Sequence, residues 1–200
     1  MKIGPKYKIA RRLGAPIFEK TQTQKYALSS EKKASKKFQK SRTDYGLQLV
    51  EKQKARFFYG ITEKQFKNYV KKALLGNSPP SLSLFSKLES RLDSVVWRIG
   101  LAPTHGAARQ MVAHGHITVN GRRVYVPSYE VGIGDVLSIR EGSKKSPLFN
   151  KESDLEKSNL TPAWIEFDAV KKEAKVKSKP ATVEDNLVFD MAKVIEFYQR

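Results

Sequence analysis

The sequence predicts an α+β protein, and three observations carry that prediction. Apolar residues recur at helical spacing in several blocks between about residue 44 and residue 112. At Ile117 the period changes from 3.6 to 2, which marks short strands. The last segment, Asp190 to Tyr198, is amphipathic and ends in Val194, Ile195, Phe197 and Tyr198; these need a surface to bury against, and the helices at 44 to 76 are one candidate.

Residues 44 to 59, DYGLQLVEKQKARFFY, read as a first helix with Leu47, Val50, Phe57 and Phe58 toward one side and Gln48, Lys52 and Arg56 on the other. Thr62 with Gln65 three residues later forms a capping box that opens the next helix, and Gly76 before Pro79 and Pro80 stops it. Phe66, Tyr69, Val70, Ala73 and Leu74 make its apolar stripe; Lys64, Lys67, Asn68, Lys71 and Lys72 stand opposite. Leu84 to Ile99 predicts a third helix ended by Gly100. Thr104 caps a fourth, which buries Ala108, Met111 and Val112, ends at Gly115, and shows His105, Arg109 and Gln110 on its exposed side.

The stretch HGHITVNGRRV, residues 114 to 124, then has the form of a two-residue type I′ hairpin, because Asn-Gly tolerates the two positive φ angles that turn demands. That loop length opposes Val119 to Arg122 and Ile117 to Val124, with Thr118 and Arg123 on the other face. Segments around Val131 and at 135 to 140 read as further strands, 142 to 161 as a polar excursion, and 164 to 167 and 174 to 177 as a last strand pair.

The formal charge of +18 calls for a polyanion, with nucleic acid as the default partner. Residues 1 to 90 carry 21 Lys/Arg against 6 Asp/Glu, a net of +15, so the electrostatic footprint belongs to the N-terminal half. Within it, Lys20 to Arg42 has too little apolar surface to offset its ordering entropy and is expected to be extended or disordered when free. A solvated face or an anionic-lipid surface are the blander readings of the lysines at 64 to 72. No run approaches the roughly 18 apolar residues of a membrane span, and no secretory h-region opens the chain, so a cytoplasmic location is expected by default.

Zero cysteines exclude disulfides, zinc ribbons, iron-sulfur clusters and thiol nucleophiles. His114 and His116 lack neighbouring ligands for a metal; His114 is more naturally a helix C-cap or a donor to an RNA phosphate. Gly132-Ile133-Gly134 precedes a strand and lacks the rest of any phosphate loop. Glu166 and Asp168 read as surface carboxylates. No catalytic set presents itself, and no cofactor or small-molecule substrate is expected.

RLDSVVWRIGLAPTHGAARQMVAHGHITVNGRRV, followed by PSYEVGIGDVLSIRE, resembles the RNA-binding module named after small-subunit ribosomal protein S-four, which also occurs in tRNA synthetases, pseudouridine synthases and a heat-shock RNA-binding protein. TDYGLQLVEKQKARFFYGITEKQFKNYV, with GPKYKIARRLG near the start and PAWIEFD near the end, resembles the bacterial or organellar S-four family itself. The departure lies at residues 19 to 42, where many members carry four zinc-binding cysteines and this chain has none, so a metal-free N-terminal arm is expected.

The resemblance implies an architecture of a basic arm (1 to 43), a helical domain (44 to 89 plus 184 to 200) and an inserted RNA-binding module (90 to 183, core 91 to 141). It implies a monomeric primary binder of the 5′ domain of 16S-type rRNA that nucleates assembly of the small subunit, touches neighbouring protein S-five, contributes to translational accuracy and helps line the mRNA entry path; some members repress their own operon. Candidate rRNA-binding residues are Lys6, Lys8, Arg11 and Arg12 in the arm, Lys52, Arg56, Lys64, Lys67, Asn68 and Lys71 in the helical domain, and Arg109, Gln110, His114, Asn120, Arg122 and Arg123 in the module. Lys40 and Arg42 are candidates for the mRNA path. The competing classes are an RNA-modifying or regulatory protein bearing such a module, and a basic nucleoid-type DNA binder favoured by charge alone.

Overall fold

A computed structural model describes residues 3–34, 43–146, 149, 161–168, 170–181 and 187–200. The fold is α+β, with the chain divided into two compact units: Met1–Leu84 with Val183–Arg200, and Phe85–Thr182.

The first unit is helical. α1 (Lys6–Leu13) ends at Gly14, whose positive φ lets its N–H reach back to the Ala10 carbonyl. A 3-10 turn (Glu19–Thr21) and α2 (Gln24–Ala34) follow. Ala10, Leu13, Ile17 and Phe18 are buried, with Val50, Phe57 and Phe58 of α3 (Asp44–Phe58) packed against them. This corrects two expectations. The basic start of the chain is a folded part of the unit, because four apolar side chains suffice to dock a short helix; and part of the run from Lys20 to Arg42 is helical, through Ala34. Lys40 and Arg42 lie outside the described residues.

α4 (Glu63–Leu74) carries the predicted capping box: Gln65 N–H donates to Thr62 Oγ1 at 3.4 Å and Thr62 N–H to Gln65 Oε1 at 3.3 Å. Phe66, Val70 and Ala73 are its buried side. The C-terminal helix α9 (Met191–Gln199), capped by Asp190, packs along α3 and touches α4, as its apolar residues require. It covers the side of α3 that periodicity assigns to solvent. Gln48 and Lys52 are therefore buried, with Gln48 donating to Glu196 at 2.9 Å.

In the second unit the predicted single helix from Leu84 to Ile99 is two. α5 (Pro80–Glu89), which begins in the first unit, and α6 (Leu92–Arg98) are separated because Arg91 leaves helical geometry for an extended one and the chain there pairs with the downstream loop at 127 to 131. Ser90 accepts from Val131 N–H at 2.8 Å, Leu92 N–H donates to Tyr129 O at 2.9 Å, and Arg91 bridges Glu130. Val131 is thus a buried bridge neighbour and not part of a strand.

α7 (His105–Ala113) leads into a five-stranded antiparallel sheet of order β2-β1-β3-β5-β4, formed by β1 (Ile117–Val119), β2 (Arg122–Arg123), β3 (Val136–Ile139), β4 (Ile165–Asp168) and β5 (Glu173–Val176). Thr118 opposes Arg123 and Val119 opposes Arg122, the predicted hairpin register. One short helix, α8 (Glu141–Lys144), interrupts the expected polar excursion. α6 and α7 bury Leu92, Val95, Val96, Ala108, Met111 and Val112 against Ile117, Leu137, Ile139, Ala174 and Val176 of the sheet.

Candidate nucleic-acid interface

In the first unit the apolar side of α4 is fixed by Phe66, Val70 and Ala73, so the opposite side is held toward solvent. Lys64, Lys67, Asn68, Lys71 and Lys72 are all exposed. At 1.5 Å rise per residue, Lys64 to Lys71 spans about 10 Å of rigid helix. Among the described residues none of these four lysines is in an ion pair, so their charge is available to an external anion.

Lys52 and Arg56 are placed differently. Lys52 Nζ lies 2.9 Å from Glu63 Oε1 and 4.7 Å from the Phe197 ring centroid, with its side chain 8% exposed. Arg56 Nε lies 3.7 Å from Glu63 Oε2, and its guanidinium lies over the Phe57 ring. Tyr198 OH donates to Glu63 Oε1 at 2.7 Å. Burial would raise the Glu63 carboxyl, but hydrogen bonds from Lys52 and Tyr198 and the charges of Lys52 and Arg56 outweigh it and hold the carboxyl below its ordinary value. Burial and the Glu63 bond push the Tyr198 phenol well up. These side chains clasp α3, α4 and α9 together.

On α1, Lys8, Arg11 and Arg12 are exposed, and Lys6 is half-buried with its ammonium 5.5 Å from the Phe18 ring centroid. Burial pushes the Tyr26 phenol up, and the nearby Arg11 guanidinium opposes that shift.

The second unit presents its cations from two local motifs. Asn120 and Gly121 have φ of 50° and 77°, the paired positive values of the predicted turn. Arg122 and Arg123 are exposed on β2, an edge strand of the sheet. Asn120 is exposed, but its side chain is engaged by β3 and the residue before it: Nδ2 donates to Asp135 Oδ1 at 2.8 Å and Oδ1 accepts from Val136 N–H at 2.9 Å. It fixes the turn to β3, so it positions the two arginines.

α7 departs further from its predicted faces. Gln110 and His114 are exposed, His114 at the C-cap as expected. His105 is buried, its ring stacked 4.1 Å from that of Trp97 at 25°. Arg109 is 27% exposed and held by Asp93, whose Oδ2 accepts from Arg109 Nε at 2.9 Å and Nη2 at 2.7 Å. Arg91 donates to both oxygens of the same carboxylate, at 2.9 and 2.8 Å, and Asp93 is 0% exposed. A second bidentate pair joins Arg98 to Glu89 at 2.8 Å. Asp93 was not among the sequence candidates; a carboxylate embedded in the apolar run RLDSVVWR is the signal that could have found it.

His116 Nδ1 lies 3.0 Å from Ser143 Oγ, and its ring stacks on that of His114 at 6.1 Å. Among the described residues no group of three His, Cys, Asp or Glu is assembled to hold a metal, and no described helix is long and apolar enough to cross a membrane.

His105 supplies a pH prediction. Burial, then the charges of Arg98, Arg109 and Arg91, push its pKa well below the ordinary value, so it is neutral in the folded unit. Above about pH 6.5 neither state binds the proton; below it the unfolded chain does so first, and stability falls as pH falls toward the folded pKa. Both tryptophans, Trp97 and Trp164, lie in this unit. Denaturant unfolding followed by tryptophan emission should shift to lower midpoints between pH 7.5 and 5. His105→Gln should flatten that dependence; an equal slope in the variant would remove His105 as its cause.

Comparison with known proteins matches residues 1–92 to the ribosomal protein S4/S9 N-terminal domain and residues 90–137 to the S4 domain. Small ribosomal subunit protein uS4 of Listeria monocytogenes is 40% identical over 200 residues, covering 98% of each chain. The uS4 protein of Delftia acidovorans is 41% identical over 204 residues, 99% of this chain and 98% of its own. That of Acetivibrio thermocellus is 44% identical over 161 residues, 80% of this chain and 77% of its own. With both domains matched in order and identity near 40% sustained over almost the full length, the chain belongs to the uS4 family of small ribosomal subunit proteins.

Proposed function

We propose that the protein is a structural, non-catalytic constituent of the small ribosomal subunit that binds the 5′ domain of 16S-type rRNA as a monomer and nucleates assembly of the subunit body. The observation that carries this reading is the cationic side of α4, four exposed lysines on a capped helix whose opposite side is core. Folded RNA is recognised mostly by shape and phosphate positions, which calls for basic groups on rigid elements.

In this reading the helical unit is the first rRNA contact, through Lys64, Lys67, Asn68 and Lys71 with Lys8, Arg11 and Arg12. The second unit acts as the inserted module, through Gln110, His114, Arg122, Arg123 and the exposed edge of Arg109. Lys6, Lys52, Arg56 and Asn120 serve chiefly by holding the surfaces in place. The protein works in the cytoplasm within the subunit, or in an organellar matrix if the chain is organellar. It touches S-five, supports decoding accuracy, and offers Lys40 and Arg42 to the mRNA path.

Arg109→Ala, Arg122→Ala and Arg123→Ala should each weaken binding to a 5′-domain rRNA fragment, and the triple variant should flatten the salt dependence, with the slope falling by up to about 3 for three phosphate contacts. Unchanged affinity and slope would take the module out of the interface. The function itself is tested by sedimentation with small subunits. The full chain should remain with them through a high-salt wash, whereas a nucleoid-type binder or a free RNA-modifying protein would be stripped.

A further inference from the structure

Tyr7 and Tyr26 form a ring pair on the solvent side of α1 and α2, with centroids 5.7 Å apart and planes inclined by 32°. Neither belongs to the four-residue core beneath, although Tyr26 packs against its edge. Tyr7 is 46% exposed, which leaves much of its ring uncovered. Arg11 follows Tyr7 by four residues on the same side of α1, and its charge acts on the Tyr26 phenol, so a guanidinium stands beside the ring pair. Lys8 and Lys25 are exposed nearby in sequence on the same two helices. Residues 1 to 43 contain 13 Lys/Arg and only two carboxylates, Glu19 and Glu31.

From this arrangement we infer that Tyr7, backed by Tyr26 and flanked by Arg11, is a stacking platform for one unpaired RNA base, with the Arg11 guanidinium engaging the adjoining phosphate. The inference rests on the RNA-binding reading above and adds a site to it. An open aromatic face satisfies itself by stacking on any nucleobase, and a cation at its edge suits the phosphate that a flipped-out nucleotide brings with it. The lysines of α4 are compact point charges suited to phosphates. This platform would therefore respond to single-stranded or junction nucleotides and not to continuous helix.

The test compares Tyr7→Leu, Tyr7→Phe and Tyr7→Trp in the full chain, titrated with a 5′-domain rRNA fragment. Leucine keeps apolar packing against α2 and removes the π face. Stacking predicts a loss of about 5- to 150-fold for Tyr7→Leu with an unchanged salt slope, and retained affinity for Phe and Trp. Leucine binding as tightly as tyrosine overturns the inference while leaving the RNA-binding reading intact. If Tyr7→Leu lowers the Tm of the chain, Tyr7→Trp decides: its added emission, over the background of Trp97 and Trp164, should be quenched at saturation. Unquenched emission overturns the platform, and failure of the unaltered chain to bind the fragment overturns both readings.

Discussion

Replacing Lys64, Lys67, Lys71 and Lys72 together with alanine should abolish most of the salt-sensitive affinity for rRNA. All four are exposed on one side of α4, and among the described residues none is neutralised by a carboxylate. Each lysine that meets a phosphate contributes about 0.9 to the slope of log affinity against log salt on duplex, and about 0.7 on single strands. Four such contacts account for a slope change of about 2.8 to 3.6, equivalent to about 50- to 150-fold in affinity between 50 and 200 mM salt. The stability of the unit should barely change, because the apolar side and the Thr62–Gln65 capping box are untouched. Equilibrium binding at several salt concentrations, with a thermal melt of the same variant, checks both halves. Retained slope in a folded variant would exclude α4 from the interface.

The second large effect concerns folding. Asp93 is fully buried and accepts from the guanidinia of both Arg91 and Arg109, with a further bond from Ser94 N–H at 3.1 Å. Asp93→Ala removes the carboxylate that both guanidinia share and leaves Arg91, 3% exposed, in an interior without it. Removing one member of such a buried set costs about 3–5 kcal/mol, a large part of the stability of a small unit. Unfolding followed by the emission of Trp97 and Trp164 should move to a much lower denaturant midpoint. Asp93→Asn should also destabilise, since the amide carries no charge to balance two guanidinia. An unaltered midpoint in Asp93→Ala would mean that the ion set is incidental. The same carboxylate restrains Arg109, so the variant should lose rRNA affinity even where it is still folded.

The elements that could be read from the sequence are those set by local chemistry. Thr62 with Gln65 and Thr104 at its helix start needed only their own turn, and Asn120-Gly121 fixed the hairpin register by the φ values it tolerates. The α4 lysines were legible because one side of that helix is plainly apolar. What failed depended on partners distant in sequence. Lys52 lies on the polar side of α3 by periodicity, yet α9, more than a hundred residues later, covers that side, and Glu63 accepts its charge. His105 and Arg109 share a side of α7 by spacing, but α6 brings Trp97 and Asp93 across it. The break between α5 and α6 comes from Tyr129, Glu130 and Val131, which compete for the backbone of Ser90 to Leu92. α2 is not legible in the sequence because its composition is polar; Tyr26 packs at the edge of a small apolar cluster whose other members lie outside that helix.

Shape-specific binding of rRNA on top of counterion release is most directly tested by titrating the full chain with a 5′-domain fragment of small-subunit rRNA beside an equal length of duplex DNA, from low to high salt. Tight binding to the rRNA that survives at salt concentrations where the DNA is released is the predicted result. Equal affinities that fall together with salt would contradict it, and would reduce the protein's interaction with RNA to its charge of +18.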